Sequence, residues 1–130
     1  MVWKQRRFPM AGVLQFDVEV CPAPQGHGYT KVHVDTRNPF FREGAVLKGH
    51  EFHYSKILLP ERPPTTACEV IRGTGCFDRR DGVLAGNVLA SYFHLHAAAT
   101  PEWAAGFLAA AHRHRAAQSR SGDRISHTKQ

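Results

Sequence analysis

The stretch Val83-Leu-Ala-Gly-Asn-Val-Leu-Ala-Ser-Tyr-Phe-His-Leu-His96 decides the fold class of this chain. Residues 83–93 are mostly apolar, as in a buried strand, and His94 comes directly after them. A histidine at the end of an apolar strand, just before a loop and a helix, is where α/β folds place catalytic groups. A hydrogen-bonded structural histidine is the alternative for His94.

A helix follows this stretch. Thr100 is a good N-cap, Pro101 suits the first helical position, and Glu102 complements the helix dipole. Apolar residues then repeat at helical spacing, at Trp103, Phe107, Leu108 and Ala111. The pattern predicts a helix from Thr100 to about Ala117 that packs on one face of a sheet.

Upstream of residue 83, apolar and polar residues alternate, which predicts strands. The predicted strands cover residues 12–20, 29–34, 51–58 and 69–72, and the predicted turns cover 21–28, 73–75 and 79–82. A stand-alone α/β enzyme usually alternates strands with helices from its start. Since the strands here all precede one helix, we expect an α/β fold, with a mixed sheet and few helices.

The formal charge of +6 is concentrated at the two ends of the chain. Residues 1–10 carry +3, residues 112–130 carry +4, and the residues between them carry −1. An RNA-binding sheet would interleave basic and stacking aromatic residues on its strands. This central region does not, so a nucleic-acid partner is not expected.

At 130 residues the chain is long enough for one domain. We expect an N-terminal extension at 1–10, a domain at 11–117 and a disordered basic tail at 118–130. The N-terminus lacks the apolar region of a secretory signal, and no apolar run is long enough to span a membrane. Three widely spaced cysteines form no disulfide framework, so a cytoplasmic location is expected.

The chain has nine histidines but no strong metal-ligand pattern. His94 and His96 are two apart on a predicted strand and face the same way, a spacing that could chelate zinc if a third ligand came from elsewhere. His50 and His53 should point to opposite faces of their strand. We therefore expect no metal, with a small zinc protein as a rival interpretation.

Two kinds of catalytic motif are missing. Cys21, Cys68 and Cys76 each lack the glycine-flanked sharp turn that presents a nucleophile. No phosphate-binding loop of the Gly-x-x-x-x-Gly-Lys-Ser/Thr type occurs. The chain is therefore expected to hold neither a nucleophile nor a cofactor of its own.

Seven short sequence motifs, called words below, occur in the same order as similar motifs in one known family. They are Phe8-Pro-Met-Ala-Gly-Val-Leu14, Phe16-Asp-Val-Glu-Val20, Gln25-Gly-His-Gly-Tyr29, Gly49-His-Glu-Phe-His-Tyr-Ser55, Arg72-Gly-Thr-Gly75, Arg80-Asp-Gly82 and Asn87-Val-Leu-Ala-Ser-Tyr-Phe-His-Leu-His96. Together they look like the C-terminal glutaminase region of the cobyrinic acid a,c-diamide synthase family. The resemblance runs from about Phe8 to about Ala111.

The resemblance implies the C-terminal portion of a class I glutamine amidotransferase-like domain. Members are glutamine-dependent ligases: one domain activates a tetrapyrrole carboxylate with ATP and Mg²⁺, and the other releases ammonia from glutamine. The implied role is the amidation of cobyrinic acid carboxylates in cobalamin biosynthesis. A branch that amidates siroheme is the alternative, as is a non-catalytic binding domain on the same scaffold.

Carried over position by position, His94 matches the histidine that activates the nucleophilic cysteine of the family. His96 stands where other class I glutaminases carry an orienting carboxylate. Glu51, His53, Tyr54 and Ser55 are candidates for the border of the glutamine pocket.

One departure from the family is serious. The family's cysteine lies upstream of Phe8, in a Cys-Gly-Gly type of turn that this sequence does not contain. The chain alone is therefore expected to be inactive towards glutamine. An upstream half-enzyme or a second copy of the chain is the expected partner, beside glutamine and a tetrapyrrole substrate.

Overall fold

The computed structural model describes the backbone of residues 1–126 and the side chains of residues 1–119. The strands are β1 (Val2–Trp3), β2 (Arg6–Arg7), β3 (Asp17–Val20), β4 (Gly26–Val34), β5 (Val46–His53), β6 (Ser55–Leu58), β7 (Thr66–Arg72), β8 (Arg80–Ala85), β9 (Val88–Ala90) and β10 (Phe93–His94). A 3-10 helix at Ala97–Ala99 precedes the helix α1 (Pro101–Ser126). No helix of this part of the chain is both long and apolar enough to span a bilayer.

The strands form two sheets. The larger has the order β10-β5-β4-β7-β8-β9 and is antiparallel throughout, and the smaller has the order β2-β1-β3-β6. In the smaller sheet β1 runs parallel to β3, while the other pairs are antiparallel. The expected fold class, a mixed sheet with few helices, is confirmed.

The core lies against one face of the larger sheet. Residues on β4 alternate as the sequence pattern predicts, with Thr30, Val32 and Val34 buried and Tyr29 exposed. The main buried apolar side chains are Val32, Val34, Phe41, Leu47, Ala67, Cys68, Val70 and Phe93. The opposite face of β4 and β5 is open, and 75% of Tyr29 is accessible there.

Several strand boundaries differ from the sequence prediction; β7, for example, begins at Thr66 rather than at residue 69. β4 begins at Gly26 rather than Tyr29, because residues 26–28 pair with Glu51–His53 of β5. The predicted strand 51–58 is divided at Tyr54, with β5 in the larger sheet and β6 in the smaller. The predicted strand 12–20 forms only at β3.

The turn expected at residues 79–82 lies slightly earlier. Asp78 and Arg79 have φ values of 44° and 55°, and the Arg80 amide donates to the Phe77 carbonyl at 2.7 Å. β8 then begins at Arg80 itself. Asp81, which the sequence places in the turn, is instead a fully buried strand residue.

Helix α1 starts as predicted and is longer than predicted. The Trp103 amide donates to the Thr100 carbonyl at 3.0 Å, and the helix ends at Ser126 rather than near Ala117. Its apolar stripe does not cover the sheet as expected, because Trp103 and Phe107 are 44% and 53% accessible. The helix contacts the rest of the domain through Phe40, whose ring stacks on that of Phe107 at a centroid distance of 6.1 Å.

Both regions that flank the expected domain contain secondary structure. Residues 1–8 form the β1–β2 hairpin, and the Met1 amino group lies 3.2 Å from the carboxylate of Asp17 on β3. The helix continues beyond residue 117, and residues 127–130 lie outside the described part of the chain. The division at residues 10 and 117, with a disordered tail at 118–130, stays a prediction.

Candidate functional site

The two most distinctive sequence words meet at one edge of the larger sheet. β10 pairs with β5, so that Phe93 lies opposite Glu51 and His94 lies opposite His50. The pairing is antiparallel and brings together residues 44 apart in the sequence. The word at residues 49–55 and the word at residues 87–96 therefore form one structural unit.

His94 projects from the exposed face of this unit. Its Nδ1 lies 3.2 Å from Nε2 of His50, and the two rings meet edge to face with centroids 4.8 Å apart. Both side chains are exposed. Because Nδ1 of His94 is occupied by this hydrogen bond, Nε2 is the ring nitrogen left to exchange a proton with a reacting group.

His96 does not take part in this pair. It precedes the 3-10 helix, is exposed, and within the described part of the chain makes no side-chain capping hydrogen bond there. Among the described side chains, His50 rather than His96 is hydrogen-bonded to His94. The sequence analysis missed His50 because it compared this residue only with His53, its neighbour on the same strand.

The Glu51 carboxylate is hydrogen-bonded to the loop at residues 73–75. Its Oε1 accepts the Thr74 amide at 2.6 Å and its Oε2 accepts the Gly75 amide at 3.1 Å. The residue is 2% accessible. Two backbone N–H groups satisfy a buried carboxylate that would otherwise be costly, so Glu51 holds the loop against β5.

His53 is also buried beneath the sheet. Its Nδ1–H donates to the Ser55 carbonyl at 2.8 Å, and its ring lies flat on that of Tyr92. Its Nε2 is buried, has no hydrogen-bond partner among the described residues, and lies 3.8 Å from Oε2 of Glu51. Gly26 is required opposite this pair, because a Cβ there would overlap the His53 ring.

Ser55 and Tyr54 complete the four predicted pocket residues. The Ser55 hydroxyl is hydrogen-bonded to the Tyr92 hydroxyl at 2.8 Å. Tyr54 is exposed, and its ring meets that of Phe52 edge to face at 5.5 Å. The structure thus divides the four: Glu51, His53 and Ser55 are engaged within the fold, while Tyr54 adjoins the open face that carries His50 and His94.

The three cysteines are free thiols, and two of them are strongly disfavoured as thiolates. Burial, together with the negative charge of Asp81, raises the pKa of Cys68 to about 12. Burial and the same carboxylate raise the pKa of Cys76 well above its ordinary value, and its Sγ–H donates to Asp81 at 2.9 Å. A thiol must lose its proton to act as a nucleophile, so neither residue suits that role.

Asp81 is the second residue that the sequence analysis did not identify. It is completely buried. Its carboxylate accepts hydrogen bonds from several donors, which link β8 to the segment that leads into β10. Besides Cys76, these donors are the backbone amides of Gly82, Tyr92 and Phe93. No sequence signal marks it, since an Asp-Gly pair ordinarily indicates an exposed turn.

Metal-binding groups are sparse in this region. Within the described residues, no group of three or more His, Cys, Asp or Glu side chains is placed to hold a metal ion. His94 has an imidazole partner, but a zinc site normally requires four ligands, of which at least three come from the protein.

Comparison with known proteins assigns this edge of the sheet to a family. Residues 3–102 match the CobB/CobQ-like glutamine amidotransferase domain. The chain belongs to this family. The match includes both strands of the β5–β10 unit and ends just inside α1, so the CobB/CobQ-like domain accounts for nearly all of the sheet structure.

Curated relatives support the same assignment. A cobyrinate a,c-diamide synthase of Magnetococcus marinus is 38% identical over 104 residues, which are 80% of this chain and 22% of the relative. The enzyme of the same name from Methanothermobacter thermautotrophicus is 39% identical over 98 residues, 75% of this chain and again 22% of the relative. The chain therefore spans less than a quarter of the length of these relatives. No solved structure matches it.

Proposed function

We propose that this chain supplies the general-base histidine of a glutaminase that provides ammonia for amidation of cobyrinate. The observation that carries the proposal is the position of His94, which lies within the CobB/CobQ-like match, is exposed, and keeps Nε2 free. The names of the relatives support cobyrinate as the acceptor. The names of these relatives give no support to the siroheme alternative.

The role follows from the chemistry of amide hydrolysis. Nε2 of His94 takes the proton of a cysteine thiol, and the thiolate attacks the amide carbon of glutamine. The imidazolium returns its proton to the leaving nitrogen, which departs as ammonia and leaves a thioester. Water then hydrolyses the thioester to glutamate and restores the thiol.

The cysteine of this reaction belongs to the upstream segment that the resemblance implies. Cys68 and Cys76 are unsuited to the role, as argued above, and Cys21 lies in a word that follows the nucleophile in the family. The ATP- and Mg²⁺-dependent activation of the carboxylate belongs, by the same resemblance, to a separate domain. A cytoplasmic location and assembly with an upstream half or a second copy remain part of the proposal.

A chimera tests the proposal directly. Residues 3–102 replace the matching segment of the Magnetococcus marinus relative, and amidation of cobyrinate is measured with glutamine and, separately, with ammonia. We expect both activities. In the chimera carrying His94→Asn, glutamine-dependent amidation should be lost while ammonia-dependent amidation is kept.

His33→Gln is the matched control. His33 lies on the same face of the sheet but four residues further along β4 than Tyr29, the residue opposite His50. This variant should keep both activities. A folded chimera that uses ammonia but not glutamine would overturn the proposal and favour a non-catalytic binding domain.

A further inference from the structure

We infer that His50 is the positioning residue of His94, taking the place that a carboxylate holds in a catalytic triad. This inference rests on the function proposed above. In a triad the orienting group binds one ring nitrogen of the histidine and leaves the other directed at the nucleophile. Here the group on Nδ1 of His94 is an imidazole nitrogen at 3.2 Å, and no carboxylate of the described residues takes that position.

The strand pairing holds the two rings in this arrangement. His94 is directly opposite His50 in the β5–β10 register, and the rings meet at an interplanar angle of 79°. Gly49 allows this close approach, because a Cβ there would overlap the backbone carbonyl of His94. A substituted residue at position 49 would push β10 away from β5 and separate the two imidazoles.

The hydrogen bond selects the tautomer that a base requires. If Nδ1–H of His94 donates to Nε2 of His50, Nε2 of His94 keeps its lone pair and can accept the thiol proton. A free neutral imidazole in water favours the opposite tautomer, with the proton on Nε2. His50 therefore acts by holding His94 in its less common form.

Long-range ¹H–¹⁵N correlation spectra of the chain read this tautomer directly. They are recorded at mildly alkaline pH, and the His94 signals are identified as those lost in His94→Asn. We expect the Nδ1–H form in the unsubstituted chain and a shift to the Nε2–H form in His50→Ala. His50→Gln, whose amide oxygen can accept the same proton, should restore the Nδ1–H form, and His96→Ala should change nothing.

Two results would overturn the inference: His94 in the Nε2–H form in the unsubstituted chain, or an unchanged tautomer in His50→Ala. Because both residues are exposed, the variants should fold, and the amide spectrum of each verifies this. The readout needs no activity, so it is independent of the proposed function.

The chimera links the tautomer to catalysis. His50→Ala should lower glutamine-dependent amidation by up to about 10⁴-fold, the loss that follows replacement of the orienting group of a triad, with ammonia-dependent amidation unchanged. His50→Gln should recover part of the loss. If the unsubstituted chimera never uses glutamine while His94 still shows the Nδ1–H form, the proposed function fails and the positioning contact stands.

Discussion

The imidazole of His53 lies flat against the phenol ring of Tyr92, with the centroids 3.8 Å apart and the planes 6° apart. The Tyr92 hydroxyl also reaches the hydroxyl of Ser55 at 2.8 Å. These contacts fix the segment before β10 to the end of β5 from the buried side. On the open side, the same two strands present His50 and His94, so the position of His94 depends on packing beneath it.

Two substitutions of Tyr92 should distinguish the contribution of the ring stack to stability from that of the hydrogen bond. Tyr92→Phe keeps the ring and loses the bond to Ser55, so we expect a loss of about 0.5–1.5 kcal/mol in the free energy of unfolding. Tyr92→Ala also removes the ring and should cost about 3 kcal/mol. Urea unfolding measures both, and equal losses in the two variants would show that the ring stack contributes nothing.

Glu51 should matter for stability through the loop that it holds. Glu51→Ala leaves the Gly75 amide buried without its acceptor, and hydrogen bonds to charged groups contribute about 1.5–3 kcal/mol each. We expect a loss of about 2–4 kcal/mol in urea unfolding. Lys48→Ala, on the exposed face of the same strand, should stay within about 0.5 kcal/mol. Similar values for the two variants would contradict the anchoring role.

Alkylation should distinguish the cysteines in the folded chain. Because Cys68 has a pKa of about 12 and burial raises that of Cys76, neither should react with iodoacetamide at mildly alkaline pH. Both should react once urea unfolds the chain. Peptide mapping by mass spectrometry measures the sites, and rapid labelling of either residue in the folded chain would disprove the expected protection.

A glutamine-like electrophile extends this test to the active site. If the nucleophile lies upstream of Phe8, as the family resemblance implies, the chain by itself should give no adduct that excess glutamine prevents. Intact-mass measurement with and without glutamine detects such an adduct. A glutamine-protected adduct on Cys21, Cys68 or Cys76 would mean that this chain holds a complete active site.

The ion pair between Asp35 and Arg80 should make the free energy of unfolding depend on pH in the acidic range. A hydrogen bond from the Arg80 guanidinium, opposed by partial burial, lowers the pKa of Asp35 below its ordinary value. The contribution to folding is therefore complete above the unfolded pKa of about 3.9 and is lost as pH falls through the lower folded pKa. The pair is partly exposed, so it should contribute at most about 1 kcal/mol.

Asp35→Asn tests this dependence by urea unfolding over a pH series. The variant should be less stable than the unsubstituted chain at neutral pH, and the difference should close as pH falls below about 3.9. Arg80→Gln should lose the same pH-dependent part. A difference that stays constant with pH would show that the carboxylate charge does not contribute.

Local patterns in the sequence predicted the parts of the fold that depend on neighbouring residues. The alternation from Tyr29 to Val34 identified β4, because successive strand residues face opposite sides of a sheet. Thr100 and Pro101 identified the start of α1, because capping is a property of adjacent residues. The ordered words identified the family, which the comparisons confirm.

Other features depend on how distant segments pair. The apolar stripe with Trp103 and Phe107 predicted a buried helix face, yet these two side chains are 44% and 53% accessible. Asp81 looked like a turn residue and is a buried acceptor, because the amides of Tyr92 and Phe93 are brought to it from another strand.

The sequence by itself determined the strand-rich order, the helix start, the family and His94 as the residue to test. The tertiary structure alone decided that His50, rather than His96, lies at Nδ1 of His94. Spacing along one strand cannot show this contact, because it arises from the register of β5 against β10, which joins residues 44 apart in the chain.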